Sequence, residues 1–263
     1  MSTFPNGNPW FAHVTPNPRA KLRLFCFPHA GGGASTFRNW SSGLPPFVEI
    51  WPIQPPGRET RMLETPFTQL MQLAQAIEQV IRPHFDRPFA FFGHSMGARV
   101  CFEVARLLRQ HGGPQPVGLF ISADRAPQLS NPNALIHALP KDEFIAELRR
   151  LNGTPESVLQ CAELMKLLLP LLRADLTLIE TYVYQPQAPL DCPISAVGGL
   201  QDPEASREEL ETWREQTLGS FTLRMFPGDH FFLASSKEAV LAALSQDLEQ
   251  FVSQTQGPCT DVP

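Results

Sequence analysis

No stretch of this chain approaches the roughly 20 consecutive apolar residues that a helix needs to cross a bilayer. The longest apolar stretch, Leu167-Leu168-Leu169-Pro170-Leu171-Leu172, is too short and is broken by proline. The N-terminus lacks a basic segment followed by an apolar one, so no secretory signal is read there. Basic charge is also scarce: 21 Lys and Arg stand against 26 Asp and Glu, a net charge of −5. That leaves no footprint for nucleic acid. Cysteines are few and odd in number: Cys26, Cys101, Cys161, Cys192 and Cys259 are scattered without metal-ligand spacing. Cys26 and Cys101 lie in apolar patterns and read as reduced core residues. A reducing, cytoplasmic setting is expected. Internal repeats and low-complexity segments are absent as well.

What remains is an ordinary globular composition. The 263 residues are 43% hydrophobic and 18% charged, enough for one sizeable core. One α/β domain carrying an inserted subdomain suits this length better than two independent domains.

The chain is organised around Phe91-Phe92-Gly93-His94-Ser95-Met96-Gly97. This is Gly-x-Ser-x-Gly with a strand pattern before it and a helical pattern after it. A nucleophilic serine on a sharp strand-to-helix elbow has that context. Phe89 to Phe92 are apolar throughout, as in a buried parallel strand. Gly97, Val100, Cys101, Val104, Ala105 and Leu108 then form one apolar helical stripe. The helix N-terminus behind Ser95 brings free N–H groups and partial positive charge to where an oxyanion would form.

Strand patterns also appear at 22–27, 48–53, 117–122, 194–199 and 221–226. Helical patterns fall at 68–82, 204–218 and 236–252. Such alternation predicts a mostly parallel sheet flanked by helices. Residues 126–185 interrupt it with helical patterns alone. One helix starts near Pro140, and another covers about 164–184 and contains Pro170. The first half of that second helix is apolar almost all round. It must therefore be buried or line a pocket: plain packing is one reading, and a lid roofing the active site with Leu164, Leu167, Leu168 and Leu171 is the other, and both can hold. The expected organisation is a single domain over 1–263. Its core spans about 22–125 and 186–252, its helical lid about 126–185, and mobile termini cover 1–20 and 253–263.

Five strand ends carry further candidates. The first strand runs into Pro28-His29-Ala30-Gly31-Gly32-Gly33. A glycine-rich loop there and the residue after the nucleophile each supply one oxyanion N–H in serine hydrolases of this kind, which nominates Ala30 and Met96. His29 is expected to shape the loop, and Arg58 and Arg61 to form ion pairs after the second strand. Chain order then selects the base. The order is Ser, then Asp or Glu, then His, and of seven histidines only His230 follows every plausible acid. His94, beside the serine, should point away from it. Asp124 and Asp202 both sit just past strand ends. Asp202 is preferred as the acid, with Asp124 the alternative: a helix cap would otherwise explain Asp202, and a salt bridge Asp124.

Several motifs together resemble the type II thioesterases, free-standing α/β-hydrolases that work beside nonribosomal peptide and polyketide synthases. They are Phe27-Pro28-His29-Ala30-Gly31-Gly32, Pro56-Gly57-Arg58, Gly93-His94-Ser95-Met96-Gly97, Arg125-Ala126-Pro127, Arg173-Ala174-Asp175 with Glu180 and Tyr182, Gly198-Gly199-Leu200-Gln201-Asp202-Pro203 and His230-Phe231-Phe232. The resemblance runs from Leu22 to about Phe251. It implies an α/β-hydrolase fold, a triad on Ser95, Asp202 and His230, and oxyanion donors on Ala30 and Met96. It also implies acyl thioesters on carrier domains as substrates, with no cofactor beyond the phosphopantetheine that the carrier brings. Asp229 departs mildly from the family, which more often has a small residue there. The alternatives are a medium-chain fatty-acyl thioesterase, a general carboxylesterase or lipase, and an inactive α/β-hydrolase used for binding. Arg149 and Arg150 are candidates for meeting an acidic carrier domain, with a solvated helix face the alternative. No nucleic acid or membrane partner is expected, and a monomer is the expected state.

Overall fold

Large apolar residues alternate between two faces along each central strand. Phe25, Phe27, Phe89 and Phe91 belong to one core cluster, while Leu24, Cys26, Ala90 and Phe92 belong to the other. That is the period of a strand buried on both faces. The computed structural model describes residues 7–130 and 134–255. Its strands are β1 (Leu22–Phe27), β2 (Val48–Pro52), β3 (Phe89–His94), β4 (Leu119–Ser122), β5 (Ile194–Gly199) and β6 (Phe221–Phe226). They form one sheet in the order β2-β1-β3-β4-β5-β6, and every neighbouring pair is parallel. The fold is the α/β-hydrolase fold.

The helices are α1 (Leu70–Ile81), α2 (Met96–Gln110), α3 (Lys141–Leu151), α4 (Glu156–Leu159), α5 (Ala162–Glu180), α6 (Arg207–Glu211), α7 (Phe232–Ser235) and α8 (Lys237–Thr255). The stripes of α1 and α2 join the cluster of Phe25 and Phe91. On the other face, Val240, Leu244, Leu248 and Phe251 of α8 join Leu24 and Phe92. Between β4 and β5, α3, α4 and α5 gather around a small core of their own: Phe144, Leu148, Leu159, Met165 and Leu172. Cys26 and Cys101 are buried free thiols, and burial pushes both well above the ordinary thiol range.

Three expectations need correction. Residues 1–20 do not form a mobile lead-in over their described part. Phe11 is fully buried, bridges Ile53 in antiparallel fashion and packs edge-on against Trp51 at 4.8 Å. An edge strand leaves apolar surface and backbone groups uncovered, and Trp10-Phe11 cap that end of β2. At the other terminus, α8 continues to Thr255, past the expected start of a frayed tail; residues 256–263, like 1–6, lie outside the described residues. The single helix expected at 204–218 is split into α6 and a 3-10 turn, Thr212–Gln216. Ser206 starts α6 with a capping box: its side chain accepts from Glu209 N, and the Glu209 carboxylate accepts from Ser206 N. A helix with that start cannot begin at Glu204.

The strand order has a direct consequence for the site. The connection from β1 leads outward to β2, and the chain then returns to the other side of β1 as β3. The crevice at the C-terminal ends of β1 and β3 is therefore the switch point where ligands gather in open α/β sheets. Phe27 is in register with Gly93, so the glycine-rich loop and the serine elbow leave the sheet side by side.

Candidate active site

Ser95 sits between β3 and α2 with φ 53° and ψ −119°. A side chain there strains the backbone, and such strain collects where function demands a geometry. The two flanking glycines are needed for space. A Cβ on Gly93 would lie 2.2 Å from the Gly97 carbonyl oxygen, and one on Gly97 would lie 2.1 Å from the Phe27 carbonyl oxygen. The elbow is thus wedged against both its own helix and β1. The Ser95 amide donates to Ser122 O at 2.7 Å, tying the turn to β4.

The loops after β3, β5 and β6 then converge. The Ser95 hydroxyl lies 2.9 Å from His230 Nε2, and His230 Nδ1 lies 2.9 Å from Asp202 Oδ2. Asp202 also caps the following turn, its Oδ1 accepting from Glu204 N at 2.8 Å. The helix-cap explanation does not hold, because Ser206 caps α6; Asp202 steadies a turn with Oδ1 and leaves Oδ2 to the His230 ring. Asp124 is engaged elsewhere: Arg99 donates to both its oxygens at 2.8 Å. The neighbouring Asp229 accepts from Asn152 at 2.9 Å and from the Phe231 amide at 2.9 Å, which leaves the His230 ring to Asp202.

The other two histidines near the serine are not its partners. His94 points away from Ser95 and meets the Ser122 hydroxyl through Nδ1 at 2.9 Å. His29 accepts the Gly32 amide on its carbonyl oxygen at 2.9 Å and packs its ring under Gly32, where a Cβ would meet it at 2.8 Å. It shapes the loop, as expected. Burial first, then the nearby His230 and Arg58, pull His29 down to about 4. Burial, His230 and His29 likewise hold His94 well below the ordinary histidine range.

This gives a pH prediction. The fold favours neutral His29, so its stabilising contribution is complete above the unfolded value near 6.5 and is lost as pH falls through about 4. The loss amounts to at most about 3 kcal/mol. Chemical denaturation at pH 7 and pH 4.5 should show a smaller acid-induced loss in His29→Asn than in wild type. Equal losses in the two proteins would contradict the assignment.

A cavity of about 520 Å³ opens onto Ser95 and His230, within the usual range for a small-molecule site. Its apolar wall includes Leu172, Leu176 and Ile179 of α5 and Leu148 of α3. This corrects the expected lid contacts. Leu164 and Leu167 are exposed, at 43% and 59%. Leu168 packs among the lid helices and Leu171 is buried against the loop carrying Gly57. None of the four lines the cavity. The wall lies on the next face of the same helix. Among the described residues no group of three or more His, Cys, Asp or Glu side chains is arranged to hold a metal ion, and no helix is long and apolar enough to cross a membrane.

Residues 22–248 match the family model described as "Thioesterase domain". The chain belongs to the thioesterase family. It is a hydrolase of thioester bonds. This thioesterase is 48% identical over 241 residues to the gramicidin S biosynthesis protein GrsT of Aneurinibacillus migulanus, covering 92% of this chain and 94% of that one. Among solved structures it is similar to the RedJ thioesterase from the prodiginine biosynthetic pathway of Streptomyces coelicolor. The TM-score is 0.82 at 41% identity, over 88% of this chain and 87% of that one. It is also similar to the type II thioesterase BorB from the borrelidin biosynthetic cluster, with a TM-score of 0.79 at 38% identity, over 87% and 93%.

Proposed function

We propose that this thioesterase releases acyl groups held on the phosphopantetheine arm of carrier domains in a peptide or polyketide synthase, clearing misloaded or stalled chains. The observation that carries this is the relay of Ser95, His230 and Asp202 at the mouth of the 520 Å³ cavity. The biosynthetic settings named for GrsT, RedJ and BorB point to the same class of substrate.

Ser95 attacks the thioester carbonyl carbon while its proton passes to His230 Nε2. Asp202 holds the ring so that Nδ1 carries its proton inward and Nε2 faces the serine. The developing oxyanion is taken by the N–H groups of Ala30 and Met96. Neither amide has a hydrogen-bond partner among the described residues, and Met96 opens α2, where the first amides have no helical acceptor. The carbon–sulfur bond then breaks, and the thiolate collects the proton from His230. A thiol of pKa near 8.5 leaves readily and needs little acid help. Water, activated by His230, releases the acid from acyl-Ser95. No step draws on a cofactor; the pantetheine arrives with the substrate.

The test is a rate comparison. The same acyl groups are offered as carrier-bound thioesters and as oxygen esters of simple alcohols. A kcat/KM for the carrier-bound thioester at least about a hundredfold above that for the ester, or roughly 3 kcal/mol of preference, supports the proposal. Equal rates would make the protein a general esterase. The cavity wall adds a second expected result. Leu176→Trp should shift preference toward shorter acyl chains without slowing labelling of Ser95 by a fluorophosphonate, whereas Leu167→Trp, on the exposed face, should leave the preference unchanged. The lid arginines do not offer free charge to a carrier. Arg149 is paired with Glu156 at 2.8 Å, and Arg150 with Glu147 and Glu204, each at 2.7 Å.

A further inference from the structure

The glycine-rich loop after β1 is held from outside by a buried ion pair that reaches it from the lid. Asp175 lies on α5 and is 1% exposed; Arg58, in the loop after β2, is 3% exposed. Arg58 Nη1 and Nη2 each donate to an Asp175 oxygen at 2.9 Å. Both partners also touch the loop. The Gly31 amide donates to Asp175 Oδ2 at 2.7 Å, and Arg58 Nη1 donates to Gly32 O at 2.9 Å.

These contacts bear on the Ala30 amide through peptide geometry. The His29 carbonyl and the Ala30 N–H belong to one planar trans peptide unit and point in opposite directions. The His29 carbonyl is fixed by the Gly32 amide at 2.9 Å. The direction of the Ala30 N–H is therefore set by the turn from His29 to Gly32. Asp175 and Arg58 pin the last two residues of that turn. Gly31 has φ +77°, and a Cβ there would lie 2.6 Å from Leu172 Cδ2, so α5 presses directly on the turn. A buried ion pair is weak evidence for stability, since the desolvation of two charges largely offsets their attraction. What distinguishes this pair is that both partners also bond the glycine-rich loop.

We propose that Asp175 and Arg58 are positioning residues that hold the glycine-rich loop so that the Ala30 N–H faces the developing oxyanion. The proposal rests on Ala30 being an oxyanion donor. The helix that walls the acyl cavity with Leu172, Leu176 and Ile179 thereby also sets an element of the reaction centre.

The test compares two double variants with wild type. Arg58→Met with Asp175→Leu removes both charges and the tether while leaving no unpaired buried charge. Arg58→Met with Asp175→Asn removes the charges but keeps an acceptor for the Gly31 amide. The substrate is a small acyl-N-acetylcysteamine thioester, and the readouts are kcat, KM and Tm. A second readout is the inhibition ratio of an alkyl trifluoromethyl ketone, which forms a tetrahedral serine adduct, over the matching methyl ketone. Expected for the Leu variant is a kcat loss of about ten- to a hundredfold, approaching the loss of one oxyanion donor. KM should stay within about threefold, and the ketone ratio should fall in step with kcat. The Asn variant should recover most of both. An unchanged kcat and ratio in the Leu variant overturns the proposal, as does a rise in KM alone or no recovery with Asn. If the Leu variant does not fold, Arg58→Met with Asp175→Ala, which also lacks an acceptor for the Gly31 amide and leaves no unpaired buried charge, supplies the same comparison against the Asn variant: a lower kcat and ketone ratio in the Ala variant is expected, and equality overturns the proposal. Should wild type itself fail to prefer the trifluoromethyl ketone, the oxyanion assignment falls first and this proposal with it.

Discussion

Ser95→Ala should lower thioester turnover by about 10⁶-fold, the order of loss when the serine of a working triad is removed, while Tm stays close to the wild-type value. The reason for the split is where Ser95 stands. Its hydroxyl meets His230 Nε2 at 2.9 Å, and its amide, not its side chain, ties the elbow to Ser122 O. Alanine keeps that amide and the elbow's backbone, and removes only the oxygen that attacks. Steady-state hydrolysis and a thermal melt on the same preparation check both halves. Retention of more than about a thousandth of wild-type turnover would place the nucleophile elsewhere. A large fall in Tm would mean that Ser95 has a packing role the geometry does not show.

Asp202→Asn carries the second large effect, a fall in kcat of about 10⁴. Asparagine can present an N–H to His230 Nδ1, which favours the tautomer with its proton on Nε2, facing the serine. That ring cannot accept the Ser95 proton. Asp124→Asn separates the two carboxylates that stand at strand ends. Asp124 is held by Arg99 through two bonds of 2.8 Å, so its replacement leaves a buried guanidinium without its counter-charge. The cost should fall on stability, at about 3 to 5 kcal/mol, with kcat near wild type. The reverse ranking would transfer the acid to Asp124.

The residues themselves narrow the proposed acid to these two, and the sheet order explains why His230 meets Asp202. His230 follows β6, at one edge, and must reach inward to Ser95 after β3. Its ring crosses the end of β5 on the way and meets Asp202 there. Asp124, after β4, lies closer to the serine in strand order but is captured by an arginine on α2. Neither the capture nor the strand order is written in local pattern.

The serine elbow was legible because its requirements are local. Gly93 and Gly97 are glycine where any Cβ would strike backbone, and the apolar strand and helix stripes on either side are short-range signals. The lid face was not legible, for an equally physical reason. Leucines occur around most of the first half of α5, so the period does not choose a face. The face is chosen by Asp175, whose partner Arg58 lies 117 residues earlier in the chain. Once that pair forms, Leu172, Leu176 and Ile179 turn to the cavity, and Leu164 and Leu167 turn outward. In the sequence Asp175 stands only as part of the Arg173-Ala174-Asp175 motif, and its burial beside the glycine-rich loop reveals its neighbours. The N-terminal correction has the same character. Pro and Asn around Trp10-Phe11 suggest an unfixed segment, but two aromatic side chains beside an uncovered sheet edge are enough to dock it.

The central claim is that Ser95 takes acyl groups from a carrier's pantetheine thiol. It is tested most directly by intact-protein mass spectrometry of an acyl-loaded carrier domain, incubated with wild type and with Ser95→Ala. Wild type should return the carrier to the mass of its free-thiol form, and Ser95→Ala should leave the acyl mass in place. An acylated carrier that wild type leaves untouched, or one that Ser95→Ala clears at the wild-type rate, would contradict the account.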